Sequence, residues 1–340
     1  MKKKVLALTL AAAMALSLTA CGGNGGSSAA GSSAAGSSAA GSSASSAAGT
    51  TYKIGICQLV QHDALDAATQ GFRDAVDEAL PGQVEWDEQN ASNDIPTCST
   101  IVNGFVAEGV DLILANATPS LQAAVAATED IPILGTAVTE YGVALDIDNF
   151  NGTVGGNVSG TSDLAPLDQQ ADMLLELCPD AENVGILYCS AEANSVYQAN
   201  VVKECLEAAG KTVTVYTFAD SNDVAAVTAT ACADNDALYI PTDNTAASCT
   251  EAINNVAEPA GVPIIAGEEG ICAGCGVATL SISYYDLGRT TGEMAVKILT
   301  GEADISEMPI EYYPNPVKKY NAALADALGV TIPDGYEAIG

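Results

Sequence analysis

Three short stretches of this 340-residue chain recur in the same order about 125 to 131 residues further on. Ile54-Gly55-Ile56-Cys57 answers to Val184-Gly185-Ile186-Leu187, and Asp111-Leu112-Ile113-Leu114 answers to Asp236-Ala237-Leu238-Tyr239. Ile131-Pro132-Ile133-Leu134-Gly135 answers to Val262-Pro263-Ile264-Ile265-Ala266-Gly267. Each stretch is a short apolar run rich in β-branched residues, the pattern of a strand buried on both faces. An ordered echo of this kind constrains the fold more than any single motif does, because each half must bury the same pattern.

Between the echoes the apolar period changes from a continuous run to helical spacing. After a strand at 52–60, Ala64, Leu65, Ala68, Phe72, Ala75, Val76 and Ala79 mark one face of a helix, which Pro81-Gly82 ends. The alternation continues as strand 84–89, helix 97–108, strand 111–115, helix 119–128 and strand 131–138. It then restarts beyond the glycine-rich stretch 151–160. The second series reads helix 166–177, strand 184–188, helix 194–209, strand 213–218, helix 223–232, strand 237–241, helix 245–260 and strand 262–266. Strands alternating with helices of this length predict an α/β protein of two similar, doubly wound parallel-sheet lobes.

The first fifty residues cannot contribute to either lobe. Lys2, Lys3 and Lys4 precede an apolar stretch too short to span a bilayer comfortably, closed by Leu18-Thr19-Ala20-Cys21. A cysteine after Leu-x-Ala resembles the lipobox of bacterial lipoproteins, which implies cleavage after residue 20 and acylation of Cys21. Residues 21–50 are almost entirely Gly, Ser and Ala, a linker of about 5–6 Å × √n, or on the order of 30 Å. The expectation is a body held outside the cell membrane on a lipid-anchored leash.

Composition narrows the function further. The chain carries 11 Lys+Arg against 43 Asp+Glu, a formal net charge of −32. A body this acidic, without a basic stripe, excludes nucleic acid as a partner. Nine cysteines follow Cys21, and most sit in apolar patterns where Cys acts as a small hydrophobe. Cys272-Ala-Gly-Cys275 is the one pair at redox or metal spacing. A zinc site would want a second pair or histidines, and His62 is the only histidine, so no metal is expected. The glycines around the pair predict loop thiols, with a local disulfide as an option. No Ser/His/Asp or Cys/His arrangement has supporting context, so neither an enzyme nor a cofactor is expected.

Ligands of open parallel sheets bind beyond the carboxyl ends of the strands. Here those loops are 58–63, 116–120 and 136–141 in the first half, and 189–195, 242–245 and 267–270 in the second. All are rich in short polar side chains. Thr118-Pro119 at a helix start suits a carboxylate, or plain capping, and the two are compatible. Asn194 and Ser195 pose the same choice. Asp243 and Asn244 suit an ammonium group. His62, opening the first helix, is either a structural residue or a cleft residue.

Taken together, several stretches resemble the periplasmic-binding-protein-like substrate-binding lipoproteins of ABC importers, and more narrowly their tryptophan/tyrosine group. In the first half these are Gln61-His62-Asp63-Ala64-Leu65-Asp66, Gln70-Gly71-Phe72, Ala117-Thr118-Pro119, Val138-Thr139 and Asn157-Val158-Ser159-Gly160-Thr161-Ser162-Asp163. In the second they are Gly185-Ile186-Leu187-Tyr188, Glu192-Ala193-Asn194-Ser195, Pro241-Thr242-Asp243-Asn244 and Tyr285-Asp286-Leu287-Gly288-Arg289. Two departures stand out: Glu140-Tyr141 where the family usually has Asp-Pro, and the Cys272/Cys275 pair.

The resemblance implies a type I clamshell with three crossings, near 159–163, 282–285 and 312–315. Its lobes would comprise 51–161 with 285–312, and 162–284 with 313–340, with a helix at 286–299 and another at 317–328. It further implies a monomer that captures a small zwitterion, foremost an aromatic amino acid, for an ABC permease in the same membrane. Thr118, Thr139 and Ser195 would hold the carboxylate, and Asp243 with Glu192 the ammonium. Asn194, Asn244 and Gln58 would add hydrogen bonds, and Leu59, His62 and Tyr284 would flank the side chain. The alternatives are another small ligand (a branched-chain amino acid, sugar or nucleoside) or a redox surface protein using Cys272 and Cys275.

Overall fold

A computed structural model describes residues 51–340; the leader, Cys21 and the linker lie outside the described residues. The first series forms β1 (Tyr52–Gln58), α1 (Asp63–Ala79), β2 (Val84–Asn90), α2 (Ile95–Glu108), β3 (Leu112–Asn116), α3 (Thr118–Ala127), β4 (Ile133–Val138), α4 (Tyr141–Ala144) and β5 (Val158–Ser162). The second forms α5 (Leu167–Leu177), β6 (Asn183–Cys189), α6 (Ala193–Ala208), β7 (Thr212–Phe218), α7 (Val224–Asp234), β8 (Ala237–Ile240), α8 (Asn244–Ala247), α9 (Thr250–Ala260), β9 (Ile264–Ala266), α10 (Glu269–Cys275) and β10 (Ala278–Ser281). The chain closes with α11 (Tyr284–Leu299), β11 (Glu311–Tyr312), β12 (Val317–Tyr320), α12 (Ala322–Leu328) and β13 (Glu337–Ala338).

The repeat seen in the sequence is a repeat of topology. The first sheet runs β11-β5-β4-β3-β1-β2, and the second runs β13-β12-β10-β9-β8-β6-β7. In each, the first strand of the series lies between the second and the third, so the strand order reverses at β1/β3 and at β6/β8. That reversal opens a crevice at the carboxyl ends of those strands. The central strands β3, β4, β8 and β9 are buried along their whole length, whereas the edge strands β2 and β7 are largely open. Helices on both faces therefore cover the middle of each sheet and leave its rim to solvent.

Three segments pass between the sheets: 163–166, 282–283 and 313–316. α11, although it follows the second sheet, packs along α1 of the first lobe. That packing requires glycine: a Cβ on Gly71 would lie 2.0 Å from the Tyr285 carbonyl oxygen, and one on Gly288 would lie 2.0 Å from that of Ala68.

Three local readings differ from expectation, and one departure noted in the sequence finds its cause. The helix expected over 245–260 is two, because Asp243 caps the short α8 and the chain turns at Ser248-Cys249 before α9. The helix expected over 317–328 begins as β12, antiparallel to β10, and becomes helical only after Asn321 caps α12. Glu140-Tyr141 opens α4: Glu140 accepts from Val143 N, and the buried Tyr141 hydroxyl donates to the Thr161 carbonyl at 3.0 Å. Its ring occupies space that Gly135 and Gly160 leave free, so this departure from the family pattern is a packing solution. Finally, Cys272 and Cys275 are not loop thiols. They lie on α10 and both are buried, and every described cysteine is unbridged.

Among the described residues, no helix is long and apolar enough to cross a membrane.

Candidate functional site

The two crevices face each other. Where they meet, the lobes enclose a cavity of about 10 Å³, room for roughly one water molecule. The first lobe brings His62 and Leu65 of the α1 start, with Ala137 and Thr139 from the end of β4. The second brings Asn194, Thr242, Asp243, Asn244 and Ala247 from the ends of β6 and β8, and Glu268 from the end of β9. Asp163 and Tyr284 enter from the first two crossings.

Two hydrogen bonds span the lobes beside this cavity. The His62 ring nitrogen meets Asn244 Oδ1 at 3.2 Å, and Asn93 Nδ2 donates to Thr245 Oγ1 at 3.0 Å. Burial holds the imidazole below its ordinary pKa, against the Asn244 contact and the nearby charge of Glu192. Asn244 Nδ2 donates to Glu192, so its Oδ1 is the acceptor here and the ring donates from Nε2.

The second-lobe wall is a closed hydrogen-bond network. Asp243 caps α8 through Ala246 N at 2.7 Å, and its other oxygen accepts from Cys189 N and Ser195 Oγ, each at 2.7 Å. Glu192 Oε1 accepts from Thr245 N at 2.9 Å and Thr245 Oγ1 at 2.8 Å. Its Oε2 accepts from Asn244 N at 3.0 Å and Asn244 Nδ2 at 2.7 Å. Burial pushes the Asp243 carboxyl well up, with Glu192's charge adding to it, while the three donors pull the other way.

Of the residues singled out from sequence, His62, Thr139, Asn194, Asp243, Asn244 and Tyr284 line one cavity. Glu192 and Ser195 stand one layer behind, ordering Asn244 and Asp243. Three do not reach it. Gln58 turns away: it donates to Asp66 Oδ1 at 2.6 Å and Val60 O at 2.9 Å, accepts from Thr69, and lines a separate 370 Å³ cleft on the first lobe. Leu59 is fully buried in the first-lobe core. Thr118 is buried at the first turn of α3 and also stays off the cavity wall. Strand and helix-start geometry put these three beside the crevice, but their side chains face inward.

Asp163 and Glu268 were missed as individual residues. Asp163 ends the Ser159–Asp163 stretch and Glu268 sits in the loop after β9, where no local pattern sets either apart from the chain's many other acids. Glu268 caps α10, accepting from Gly270 N at 2.6 Å and from Ile271 N. Burial lifts its carboxyl from the ordinary 4.5 to about 7, the two N–H groups opposing. A carboxyl raised by folding favours the folded state below pH 4.5 and loses that contribution as the pH climbs through about 7. The melting temperature of the wild-type chain should therefore fall over that window relative to Glu268→Gln. Parallel melting curves for the two chains would sink this reading.

The cavity holds three carboxyl groups, Asp163, Asp243 and Glu268, and no Lys or Arg lines it. It shares Glu268 and Tyr284 with an adjoining recess of 440 Å³, whose wall also carries Tyr285, Tyr313 and Ile282 together with Asp63 and the Lys319–Glu269 ion pair. The arrangement offers hydrogen-bond acceptors at one end and tyrosine rings at the other. The buried thiols of α10 are poor redox candidates: they are enclosed in the second-lobe core, and burial pushes both above the ordinary thiol range.

Comparisons with known proteins agree with this architecture. The family described as ABC transporter substrate binding protein matches residues 53–338. A curated relative, the tyrosine-binding protein of Clostridioides difficile (strain R20291), is 35% identical over 315 residues, covering 91% of this chain and 87% of its own. A crystal structure from Streptococcus pneumonia, an ABC domain in complex with L-Trp, superposes with a TM-score of 0.81 at 32% identity, covering 85% of this chain and 100% of that one. The ligand-free, open structure of a substrate binding protein with adhesive properties from Clostridium difficile is 37% identical but superposes at only 0.65, covering 85% and 99%. The relative with more sequence in common fits less well. In this chain the His62–Asn244 and Asn93–Thr245 bonds bridge the two lobes.

Proposed function

The chain belongs to the ABC transporter substrate binding protein family, and from that premise we propose that it captures an aromatic amino acid such as tyrosine or tryptophan between its lobes for an ABC permease. The observation that carries this reading is the junction of a small polar cavity with a tyrosine-lined recess across Glu268 and Tyr284. The amino group of an amino acid belongs at the first and an aromatic ring against the second. His62, Thr139, Asn194, Asp243, Asn244 and Tyr284 form the proposed contact set, with Glu192 and Ser195 holding it in shape.

The lobes, 51–161 with 285–312 and 162–284 with 313–340, move about the three crossings. Ligand contacts from both sides favour the closed form, so binding shifts an open–closed equilibrium. We propose further that Cys21 anchors the protein by lipid on the outer face of the membrane, within reach of its permease; whether a Cys21→Ser chain leaves the cells tests this. The ligand class is tested by a thermal-shift screen of amino acids, sugars and nucleosides. Tyrosine or tryptophan at 100 times its dissociation constant should add about 2.7 kcal/mol of stability. A screen in which aromatic amino acids stay silent while another class raises the melting temperature refutes it.

A further inference from the structure

Two buried oxygens on the cavity wall meet no hydrogen-bond donor among the described residues: Asp163 Oδ1 and Asn194 Oδ1. Each side chain is 4% exposed. Both are held in place by their other atoms. Asp163 Oδ2 accepts the Tyr284 hydroxyl at 2.9 Å. Burial raises the Asp163 carboxyl, with the Thr139 and Tyr284 hydroxyls opposing, and the Thr139 hydroxyl does not meet Oδ1 in hydrogen-bond geometry. The Asn194 amide cannot be turned round, because its nitrogen donates to the Thr242 carbonyl at 2.9 Å and faces Glu192 Oε2 at 3.3 Å, both acceptors. Buried acceptors left unpaired are unfavourable until a donor reaches them.

What must arrive is set by the rest of the wall. Asp243 and Glu268 add further carboxyl oxygens, and no Lys or Arg stands among them. A ligand carboxylate in this position would meet further acceptor oxygens and no cation. We infer that the cavity is an ammonium site, in which Asp163 and Asn194 take the N–H donors of a primary amine, and that the protein therefore binds aromatic amines lacking a carboxylate as well as aromatic amino acids. Asp163 follows β5 at the first crossing and its partner Tyr284 opens α11 at the second, so the ammonium is gripped beside the segments about which the lobes turn. This shifts the ammonium contact from Asp243, whose oxygens already serve three donors, to Asp163.

The inference rests on the aromatic-ligand reading, and calorimetry on the full chain separates the two. Tyramine and tryptamine keep the ammonium and lack the carboxylate; 3-(4-hydroxyphenyl)propionate and indole-3-propionate keep the carboxylate and lack the nitrogen. The amines should bind within about tenfold of tyrosine and tryptophan, and the acids about 100-fold more weakly or not at all, as expected for loss of charge-assisted hydrogen bonds. Asp163→Asn keeps an acceptor for Tyr284 and should weaken the amines at least about tenfold. Amino acids and acids binding while the amines fail overturns this inference alone. Failure of every aromatic probe, amino acids included, overturns the aromatic reading with it. Unchanged amine affinity in a folded Asp163→Asn chain overturns the assignment to Asp163. The probe series on the wild-type chain decides the ligand class even if that variant does not fold.

Discussion

A chain carrying Glu192→Ala should unfold with about 3–5 kcal/mol less free energy than the wild type, the largest effect expected of any single side chain near the cavity. Glu192 is 2% exposed, and its two oxygens satisfy the backbone N–H groups of Asn244 and Thr245 together with their side chains. Truncation removes every one of those acceptors at once. Each hydrogen bond to a charged group contributes about 1.5–3 kcal/mol, and the buried donors cannot turn to solvent without opening the start of α8. Glu192→Gln keeps one good acceptor but points an amide nitrogen at donors, so it should fall between the two. Urea unfolding measures this: the midpoint should drop while the slope stays the same. A midpoint shift equivalent to less than about 1 kcal/mol would mean that the network is not what holds α8 in place. Affinity should fall with stability, because the same residue positions Asn244 and, at 3.3 Å, Asn194.

Gly288→Ala poses a contest between two effects of opposite sign. In an exposed helix the exchange stabilises by about 1 kcal/mol, because glycine has the lower helix propensity. At Gly288 the new methyl would stand 2.0 Å from the carbonyl oxygen of Ala68, on the backbone of α1 rather than on a side chain that can swing away. The two helices must separate, and overpacking of this kind costs about 1–3 kcal/mol or more, so the net change should be a clear loss of stability. Gly104 in α2 supplies the control: no atom lies within 4 Å of where its Cβ would go. Gly104→Ala should therefore raise the melting temperature by the propensity term alone. If both variants move the same way, close packing of α1 on α11 is not the reason for glycine at 288. Loosened packing there would also release the second crossing, since Tyr284 and Gly288 belong to one helix.

Much of the architecture was readable because the signals that carry it are local. Buried parallel strands appear as continuous apolar runs and helices as a 3.6-residue period. Two copies of that alternation, in register with each other, left little choice but two similar lobes. Errors arose where a neighbour in space decides. Val317–Tyr320 is a strand because β10 offers it an antiparallel edge. The segment after β9 is helical because Glu268 caps it, so the cysteine pair ends up in a core rather than in a loop. The same distinction separates the site residues. Asn194, Asp243 and Asn244 follow strand ends at the switch point of the second sheet, so position alone marked them. Gln58 occupies the equivalent position in the first sheet, yet Asp66 and Thr69 on α1 draw its amide away from the cleft.

From sequence alone come the two α/β halves and the strand ends at which a ligand would sit. Each follows from composition or from periods of a few residues, which the chain carries whatever surrounds it. The polarity of the cavity is different in kind. Whether a carboxylate serves as a cap, a lining or a free acceptor depends on how many donors reach it from elements far away in sequence. Asp243 and Asp163 look alike as letters. The fold surrounds the first with three donors and leaves one oxygen of the second unpaired at the meeting of both lobes and the hinge.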